Sequence, residues 1–313
     1  MTSEFDIIAR FFRHTTRHPA VVLGIGDDAA LLRVPPGQRL AVAVDTLVSG
    51  RHFLPDTDPS AIGHKALAVN LSDLAAMGAQ PAWATLALTL PEADETWLAG
   101  FAEGFFGLAD RYGVELVGGD TTRGPLTVSV QCGGQVAGDR ALCRNGARPG
   151  QRLFVTGTPG DAALALHMLQ SGARLETALR NRLDRPEPRV AFGAALAGLA
   201  SAAIDISDGL LADLSHLLEA SGCGVRLDPQ AVPRSRWLAA AEPSLAQACA
   251  FNGGDDYELL FSVEPDQVSA IQALARETGV PVAEIGVLES TPGIRPPELS
   301  PTGYDHFRDP DKP

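Results

Sequence analysis

The chain has 313 residues, of which 45% are hydrophobic and 20% are charged, and its formal net charge is −13. This length exceeds one ordinary hydrophobic core, so two domains are expected, and the apolar content excludes wholesale disorder. The negative charge argues against a general affinity for nucleic acid or for an anionic membrane.

Lysine is nearly absent, since Lys65 and Lys312 are the only two. Neither stands in the glycine-rich setting of a phosphate-binding loop, so arginines or metal ions must neutralise any bound phosphate. The four cysteines form no Cys-x-x-Cys pair, which is typical of reduced core residues. The acidic N-terminus does not resemble a secretory signal and no apolar run has the length of a membrane span, so we expect a soluble, cytoplasmic protein.

The first half of the chain alternates between helical and strand patterns. Ser3 can cap a first helix whose apolar face carries Ile8 and Phe12. The elements that follow are a strand over 40–44 that delivers Asp45 at its end, a helix over 60–77 closed by Gly78, a strand over 82–90, a helix over 94–112, a buried strand over 114–117 that ends in a turn at Gly118-Gly119-Asp120, and a strand over 126–136.

A turn-rich stretch over 139–151 marks a junction between domains. The elements expected beyond it are a strand over 153–155, a tight turn over 156–160, a helix over 161–170, a strand-to-helix step over 204–218, a strand over 257–263 and a proline-rich tail from Ser290 that lacks regular structure. This alternation predicts α/β or α+β domains and leaves the strand order open.

Aspartates recur beside glycines and short polar turns along the whole chain. The positions are Asp27, Asp28, Asp45, Asp73, Asp120, Asp205, Asp208, Asp255 and Asp256. Carboxylates cannot converge without counter-charge, because like charges at short range repel and force one group to keep its proton. Mg²⁺ with phosphates is the commonest counter-charge for such oxygen ligands. The pattern therefore favours a metal-dependent enzyme that acts on phosphates.

Each aspartate also has a structural alternative. Asp27 or Asp28 could cap a turn, and Ser207 or Asp208 is a suitable N-cap for the helix that follows. Asp73 is the exception, since it lies on an apolar helix, where a buried carboxylate needs a cation or a full set of hydrogen bonds.

Two further side chains are candidates for contact with phosphate or substrate. His52 lies in the loop that follows Asp45, and Arg144 lies in the junction, where its guanidinium fork suits a phosphate. Lone histidines and loop arginines are more often structural or solvated, so both alternatives stay open.

Taken in order, these motifs closely resemble those of the thiamine-monophosphate kinases, in the superfamily that includes aminoimidazole ribonucleotide synthetase and selenophosphate synthetase. The matching blocks are GIGDDAALL (24–32), VDTLVSGRHF (44–53), KALAVNLSDLAAMGAQP (65–81), GGDTTRGPL (118–126), VTGTPGDAA (155–163), IDISDGL (204–210), NGGDDYELLF (252–261) and GYDHF (303–307). They span nearly the whole chain, and motifs of this length in this order are highly specific.

The resemblance implies a two-domain α/β (α+β) fold of the aminoimidazole ribonucleotide synthetase type. It implies an N-terminal domain over 1–138 that binds metal and ATP and pairs into a homodimer, and a C-terminal domain over 150–313 that completes an active-site cleft. The implied reaction is ATP-dependent phosphorylation of thiamine monophosphate to thiamine diphosphate.

The resemblance also implies roles for individual residues. The implied Mg²⁺ ligands are Asp28, Asp45, Thr46, Asp73, Asp120, Asp205 and Asp208. The implied ATP contacts are Gly119, Asp120, Arg144 and Ser207, and the implied contacts to thiamine monophosphate are His52, Asp255 and Tyr304. Asp255 departs from the family pattern, which usually has Glu there, and its shorter side chain puts that contact in doubt.

The chemistry needs no catalytic acid or base. The attacking phosphate oxygen of thiamine monophosphate is already ionised at neutral pH. The obstacle is repulsion between two anions, which several Mg²⁺ ions would offset in a direct, in-line transfer without a phospho-enzyme.

Two alternatives remain open. One is another ATP-dependent enzyme of the same superfamily, although no cysteine precedes Cys132 to serve as the reactive residue of a selenophosphate synthetase. The other is a non-catalytic protein that binds divalent metal, although the chain contains no EF-hand spacing.

Overall fold

The computed structural model describes residues 4–13, 18–299 and 301. The chain divides into two compact units, Met1–Ala141 and Leu142–Pro313. Within the described ranges, no helix has both the length and the apolar character that crossing a bilayer requires. Ser3 and Tyr304 lie outside the described residues, so the predicted cap and the implied substrate contact cannot be located.

The first unit is built around a four-stranded sheet. Its elements are α1 (Glu4–Ile7), which continues as a π-helical turn (Ile8–Phe12), β1 (Val21–Leu23), β2 (Leu31–Leu32), β3 (Gln38–Val48), α2 (Pro59–Ala76), β4 (Gln80–Leu90), α3 (Glu95–Tyr112), β5 (Glu115–Arg123) and β6 (Thr127–Ala137). The strand order is β3-β6-β4-β5, in which only β4 and β5 run parallel. Strands β1 and β2 form a separate antiparallel pair.

Helices α2 and α3 are each started by an aspartate. Asp58 accepts the N–H of Ala61 at 3.1 Å, and Asp94 accepts the N–H groups of Thr96 and Trp97, so both helices begin with a capped N-terminus. The two helices approach closely at Gly104, where a Cβ atom would lie 1.8 Å from the carbonyl oxygen of Ser60. This packing holds α2, and with it Asp73, in a fixed position.

Two expectations about strand ends are wrong. Strand β3 does not stop at Asp45 but continues to Val48, and Gly118-Gly119-Asp120 is not a turn but the middle of β5. In both cases pairing with a neighbouring strand overrides the local preference of aspartate and glycine for turns, since Asp45 pairs with Val130 and Asp120 pairs with Ala87. The two motifs therefore lie on rigid strands.

The second unit is built around a six-stranded sheet. Its elements are a 3₁₀ turn (Arg144–Gly146), β7 (Arg152–Thr156), α4 (Asp161–Gln170), α5 (Thr177–Asp184), α6 (Val190–Leu196), β8 (Ala200–Asp205), α7 (Leu210–Ser221), β9 (Gly224–Leu227), α8 (Arg236–Ala240), α9 (Pro243–Asn252), β10 (Leu259–Val263), a 3₁₀ turn (Pro265–Gln267), α10 (Val268–Thr278), β11 (Val282–Glu289) and β12 (Gly293–Arg295). The strand order is β12-β9-β11-β7-β10-β8, and only β12 and β9 are parallel.

The predicted helix over 161–170 is confirmed as α4, whereas the tail contains one short strand, β12, that was not expected. The core of this unit packs β7, β8 and β10 against α7 through fully buried side chains such as Leu153, Leu214 and Leu260. The sheet thereby carries the ends of β8 and β10 side by side, and the motifs 205–209 and 253–258 adjoin these ends.

Candidate active site

The first feature of the site is a carboxyl pair formed by Asp45 on β3 and Asp73 on α2. Their side chains are hydrogen-bonded to each other. Burial raises the pKa of Asp45, while the hydrogen bond from Asp73 and the nearby His52 act in the opposite direction. Two carboxyl groups in contact share a proton or bind a cation, because two bare charges at this range repel.

Thr46 lies on the other face of the sheet from this pair. Successive side chains of a strand point to opposite faces, and the hydroxyl of Thr46 shares a hydrogen bond of 2.7 Å with the hydroxyl of Ser129 on β6. The structure therefore does not bring the Thr46 side chain to the Asp45–Asp73 pair.

His52 is held by hydrogen bonds in the loop after β3, one of them from its own N–H to the carbonyl oxygen of Val48 at 3.0 Å. Its Nδ1 accepts the N–H of Val48 at 3.0 Å, and its carbonyl oxygen accepts a hydrogen bond of 3.1 Å from Nζ of Lys65. Because Nδ1 is an acceptor, the neutral ring carries its proton on Nε2. Lys65 is almost fully buried, so one of the two lysines serves to fix the backbone of the implied substrate contact.

A cavity of about 810 Å³ in the first unit brings together further predicted residues. Asp28, Gly119 and Asp120 all line it, together with Asp27 and the side chain of Arg13. The backbone at Gly119 has φ = 152°, and a Cβ atom there would lie 1.8 Å from a carbonyl oxygen of β4, so only glycine fits. A lining with three carboxylates and one cation suits a phosphate chain only when metal ions accompany it.

In the second unit, Asp205 is the last residue of β8, and Ser207 and Asp208 follow it. The segment is shaped by Asp213, whose Oδ2 accepts the backbone N–H groups of Ser207, Asp208 and Gly209 at 3.0, 3.1 and 3.1 Å. Burial and the charges of Asp205 and Asp208 raise the pKa of Asp213 to about 7, against the effect of the backbone hydrogen bonds.

The turn over 253–257 is hydrogen-bonded to that segment. The N–H of Asp255 donates to the carbonyl oxygen of Ser207, and the N–H of Tyr257 donates to that of Ile206, both at 2.8 Å. Asp255 and Tyr257 adopt positive φ values of 68° and 53°, and the Tyr257 hydroxyl donates to Oδ1 of Asp255 at 2.9 Å. The implied substrate residue Asp255 and the implied nucleotide residue Ser207 are thus parts of one backbone network.

A buried ionic network lies directly behind the turn. Glu258 accepts hydrogen bonds from Arg189 at 2.6 and 2.7 Å, from Arg182 at 3.0 Å and from the Thr156 hydroxyl at 2.6 Å. The neighbouring Asp256 accepts the N–H of Gly160 at 2.6 Å, at the start of α4. Both carboxyl side chains are fully buried.

Sequence reasoning missed this network, although one signal was present. Glu258 stands between Tyr257 and the apolar run that begins at Leu259, and a carboxylate inside such a run needs buried partners. Asp213 gave a weaker signal, since it lies among the leucines of α7.

Arg144 does not lie in a cluster with the other predicted site residues. Arg144 has an exposed side chain in its 3₁₀ turn, where its carbonyl oxygen accepts a hydrogen bond from Ser221. Across the residues that the structure describes, no group of three or more His, Cys, Asp or Glu side chains is arranged to hold a metal ion. Mg²⁺ commonly takes one or two carboxylates and completes its shell with water and substrate phosphates, so the Asp45–Asp73 pair fits such an ion.

Comparisons with known proteins cover both units. The family model described as AIR synthase related protein, N-terminal domain, matches residues 26–136, and the corresponding C-terminal model matches residues 148–296. The thiamine-monophosphate kinase of Escherichia coli strain K12 is 49% identical over 98% of this chain and 99% of its own length.

Two solved structures are also similar. The thiamine-monophosphate kinase of Stenotrophomonas maltophilia K279a has a TM-score of 0.85 at 47% identity, with 92% of this chain and 93% of that chain covered. AaThiL complexed with AMPPCP and TMP has a TM-score of 0.79 at 32% identity, with 87% and 89% covered.

Proposed function

The chain belongs to the AIR synthase related protein family and, within it, to the thiamine-monophosphate kinases, and from this membership we propose the reaction that its site performs. The protein transfers the γ-phosphoryl group of ATP to thiamine monophosphate, which yields thiamine diphosphate and ADP. The observation that carries this conclusion is the 49% identity to a kinase of that name over nearly the full length of both chains. An ATP-dependent reaction of this kind fits the cytoplasmic location expected from the sequence.

We assign the binding of Mg²⁺ to acidic residues of both units. In the first unit they are Asp28, Asp45, Asp73 and Asp120, and in the second unit they are Asp205 and Asp208. The contact between the side chains of Asp45 and Asp73 supports this assignment, because a cation offsets the repulsion between two adjacent carboxylates. Bound Mg²⁺ supplies the positive charge that lets two phosphate anions approach and that stabilises the transferring group.

The protein residues bind and orient the two substrates. Gly119, which lines the acidic cavity and admits no Cβ atom against β4, is assigned to the nucleotide, as are Arg144 and Ser207. His52 and Asp255 are assigned to thiamine monophosphate from the resemblance to the thiamine-monophosphate kinases, and hydrogen bonds hold the backbone of both residues in place. The hydroxyl of Thr46 bonds to Ser129, so Thr46 is not assigned to the metal held by the Asp45–Asp73 pair.

The decisive experiment incubates the protein with MgATP and thiamine monophosphate and separates the products by chromatography. We expect thiamine diphosphate and ADP in equal amounts, and none when thiamine monophosphate is omitted or when EDTA removes the metal. A chain that binds divalent metal but produces no thiamine diphosphate would contradict the assignment.

The variant Asp73→Asn tests the metal assignment. It keeps the shape of the side chain and removes the charge, so kcat should fall by about a hundredfold or more, as expected for the loss of a few kcal/mol of transition-state stabilisation. The matched control is Asp58→Asn on the same helix, because asparagine also caps a helix well. Wild-type turnover in Asp73→Asn would remove Asp73 from the site.

We propose that the chain forms a homodimer through β3, the edge strand of the first sheet. Leu40, Val42 and Val44 on this edge strand are 43%, 50% and 63% exposed. A row of large apolar side chains on an edge strand favours pairing with another chain, and the occupant proposed here is a second copy of the same strand. We expect Val44→Glu to give a monomer in analytical ultracentrifugation while the wild type sediments as a dimer, and a monomeric wild type would refute the proposal.

A further inference from the structure

Asp213 is a buried carboxylate, and one of its oxygens accepts three backbone hydrogen bonds. Helix α7 begins at Leu210 and its N-cap, Gly209, provides no side-chain hydrogen bond. The Asp213 side chain fills that role from within the helix, because its Oδ2 receives the N–H groups of Ser207, Asp208 and Gly209. Only 3% of the residue is exposed.

The neighbouring backbone groups are occupied as well. The N–H of Ile206 donates to the carbonyl oxygen of Glu258 at 2.8 Å, and the carbonyl oxygens of Ile206 and Ser207 receive the N–H groups of Tyr257 and Asp255. Each backbone N–H from 206 to 209 therefore has a partner inside the second unit.

This arrangement decides how the segment can meet a nucleotide. Successive backbone N–H groups at the start of a helix normally form an anion site, which is how many phosphate-binding loops act. Here an internal carboxylate already occupies that site. A phosphate could take the same N–H groups only by displacing a buried anion, and that would leave the carboxylate without compensation.

We propose that Asp213 is a positioning residue for the nucleotide: it holds the 207–209 segment in one conformation, so that Ser207 and Asp208 meet the metal–nucleotide complex through their side chains and not through backbone N–H groups. This inference rests on the proposed kinase function and deepens it. Asp213 itself touches neither substrate.

Three variants separate this role from a purely structural one. Asp213→Ala removes the acceptor, and Asp213→Asn keeps one carbonyl oxygen that can receive the same N–H groups. The control is Leu214→Ala. Leu214 is the next residue of α7, is fully buried in the core and has no side-chain oxygen that could accept the N–H groups of 207–209. The substitution loosens the same helix without removing the acceptor for the segment.

The first measurement needs no substrate and no metal. Hydrogen exchange of the Ser207, Asp208 and Gly209 amides should be slow in the wild type and in Asp213→Asn. In Asp213→Ala it should be faster by about tenfold or more, because charge-assisted hydrogen bonds are lost. Equal protection in Asp213→Ala and in the wild type would overturn the inference.

The second measurement compares kinetic constants. Asp213→Ala should raise KM for MgATP by about tenfold or more, which is the change that corresponds to the loss of one strong hydrogen bond. KM for thiamine monophosphate should change much less. Asp213→Asn should restore KM for MgATP to near the wild-type value. If Leu214→Ala raises KM for MgATP as much as Asp213→Ala does, the role is structural and the inference fails.

The outcomes remain distinguishable from failure of the proposed function. If the wild type forms no thiamine diphosphate, the kinase assignment falls, and calorimetry of MgATP binding to the wild type and to Asp213→Ala then decides the inference. If Asp213→Ala does not fold, Asp213→Glu replaces it, since the longer side chain keeps the charge but misplaces the acceptor; unchanged binding of MgATP in that variant would also overturn the inference.

Discussion

Replacement of Glu258 by glutamine should destabilise the second unit more than any surface change. The carboxylate has four hydrogen bonds, two from Arg189, one from Arg182 and one from Thr156. Its side chain is 1% exposed, while those of Arg189 and Arg182 are 14% and 20% exposed. Glutamine keeps the volume but places an amide N–H₂ group opposite guanidinium donors, so Arg189 and Arg182 lose the charge of Glu258, and Asp161 remains 3.5 Å from Nε of Arg182.

The size of the effect follows from that burial. Removing one partner of a buried ion pair costs about 3–5 kcal/mol, because the remaining charge stays out of water without compensation. With a urea m-value of about 2 kcal/mol per molar, the midpoint of unfolding should fall by about 2 M.

The fluorescence of Trp237 reports this transition in a background where Trp83 and Trp97 are replaced by phenylalanine, because only Trp237 belongs to the second unit. The matched control is Glu289→Gln, whose carboxylate pairs with Arg295 at 2.9 Å but is 29% exposed. Such a pair is worth at most about 1 kcal/mol, so its midpoint should move by about 0.5 M or less.

The pH dependence gives an independent check. Burial opposes ionisation of Glu258, but the hydrogen bonds and charge of Arg189, with Arg182 and Thr156, hold its pKa below the usual range. A carboxyl group with a lowered pKa in the folded state stabilises the protein above its unfolded pKa, and that contribution is lost as the pH falls through the folded value. The difference between wild type and Glu258→Gln should therefore be largest near neutral pH and shrink in acid. A midpoint shift no larger than that of Glu289→Gln, or a difference that grows in acid, would refute the reasoning.

Three further outcomes are expected from the geometry of the site. Gly119→Ala should destabilise the first unit and raise KM for MgATP, because the new Cβ atom would lie 1.8 Å from a carbonyl oxygen of β4; an unchanged melting temperature and KM would contradict this. Lys65→Met removes the hydrogen bond to the carbonyl oxygen of His52 and should raise KM for thiamine monophosphate by about tenfold, which corresponds to the loss of one hydrogen bond from a charged donor, whereas an effect on KM for ATP alone would be evidence against that role. Tyr257→Phe removes the hydroxyl that donates to Asp255. It should likewise raise KM for thiamine monophosphate and leave kcat nearly unchanged. Steady-state kinetics with each substrate varied in turn would test this.

The helices were the part of the fold that sequence reasoning located best. The expected ranges 60–77 and 94–112 agree with α2 and α3 to within a residue at each end, because apolar periodicity and an aspartate cap define a helix locally. Strand ends were less predictable. Asp45 and Gly118–Asp120 look like turns in isolation, and only pairing across the sheet keeps them extended.

The residues of the candidate site also differ in how well the sequence predicts them, depending on whether local or distant neighbours define them. The aspartate motifs were visible because they stand beside glycines in short, dense groups, and the assignment of metal and substrate roles came from resemblance to a family. Asp213 and Glu258 were not visible, because their importance lies in partners that are distant in sequence: Glu258 meets Arg189 across 69 positions. A carboxylate within an apolar run signals a buried partner, but it does not say which one.

The carboxylates that only the structure identifies differ in role from those in the aspartate motifs of the sequence. The difference lies in the groups that their oxygens bind. Glu258 binds arginines of the second unit, and Oδ2 of Asp213 binds backbone N–H groups of the same unit, so these oxygens already have partners other than a cation. Asp45 and Asp73 instead form a hydrogen bond with each other, which a cation can replace at little cost in protein contacts. It follows that magnesium should stabilise the first unit in part through Asp45 and Asp73, and that Asp73→Asn should reduce the rise in its melting temperature on addition of MgATP while Glu258→Gln leaves that rise intact. A rise in Asp73→Asn as large as that of the wild type would show that Asp73 does not hold the metal.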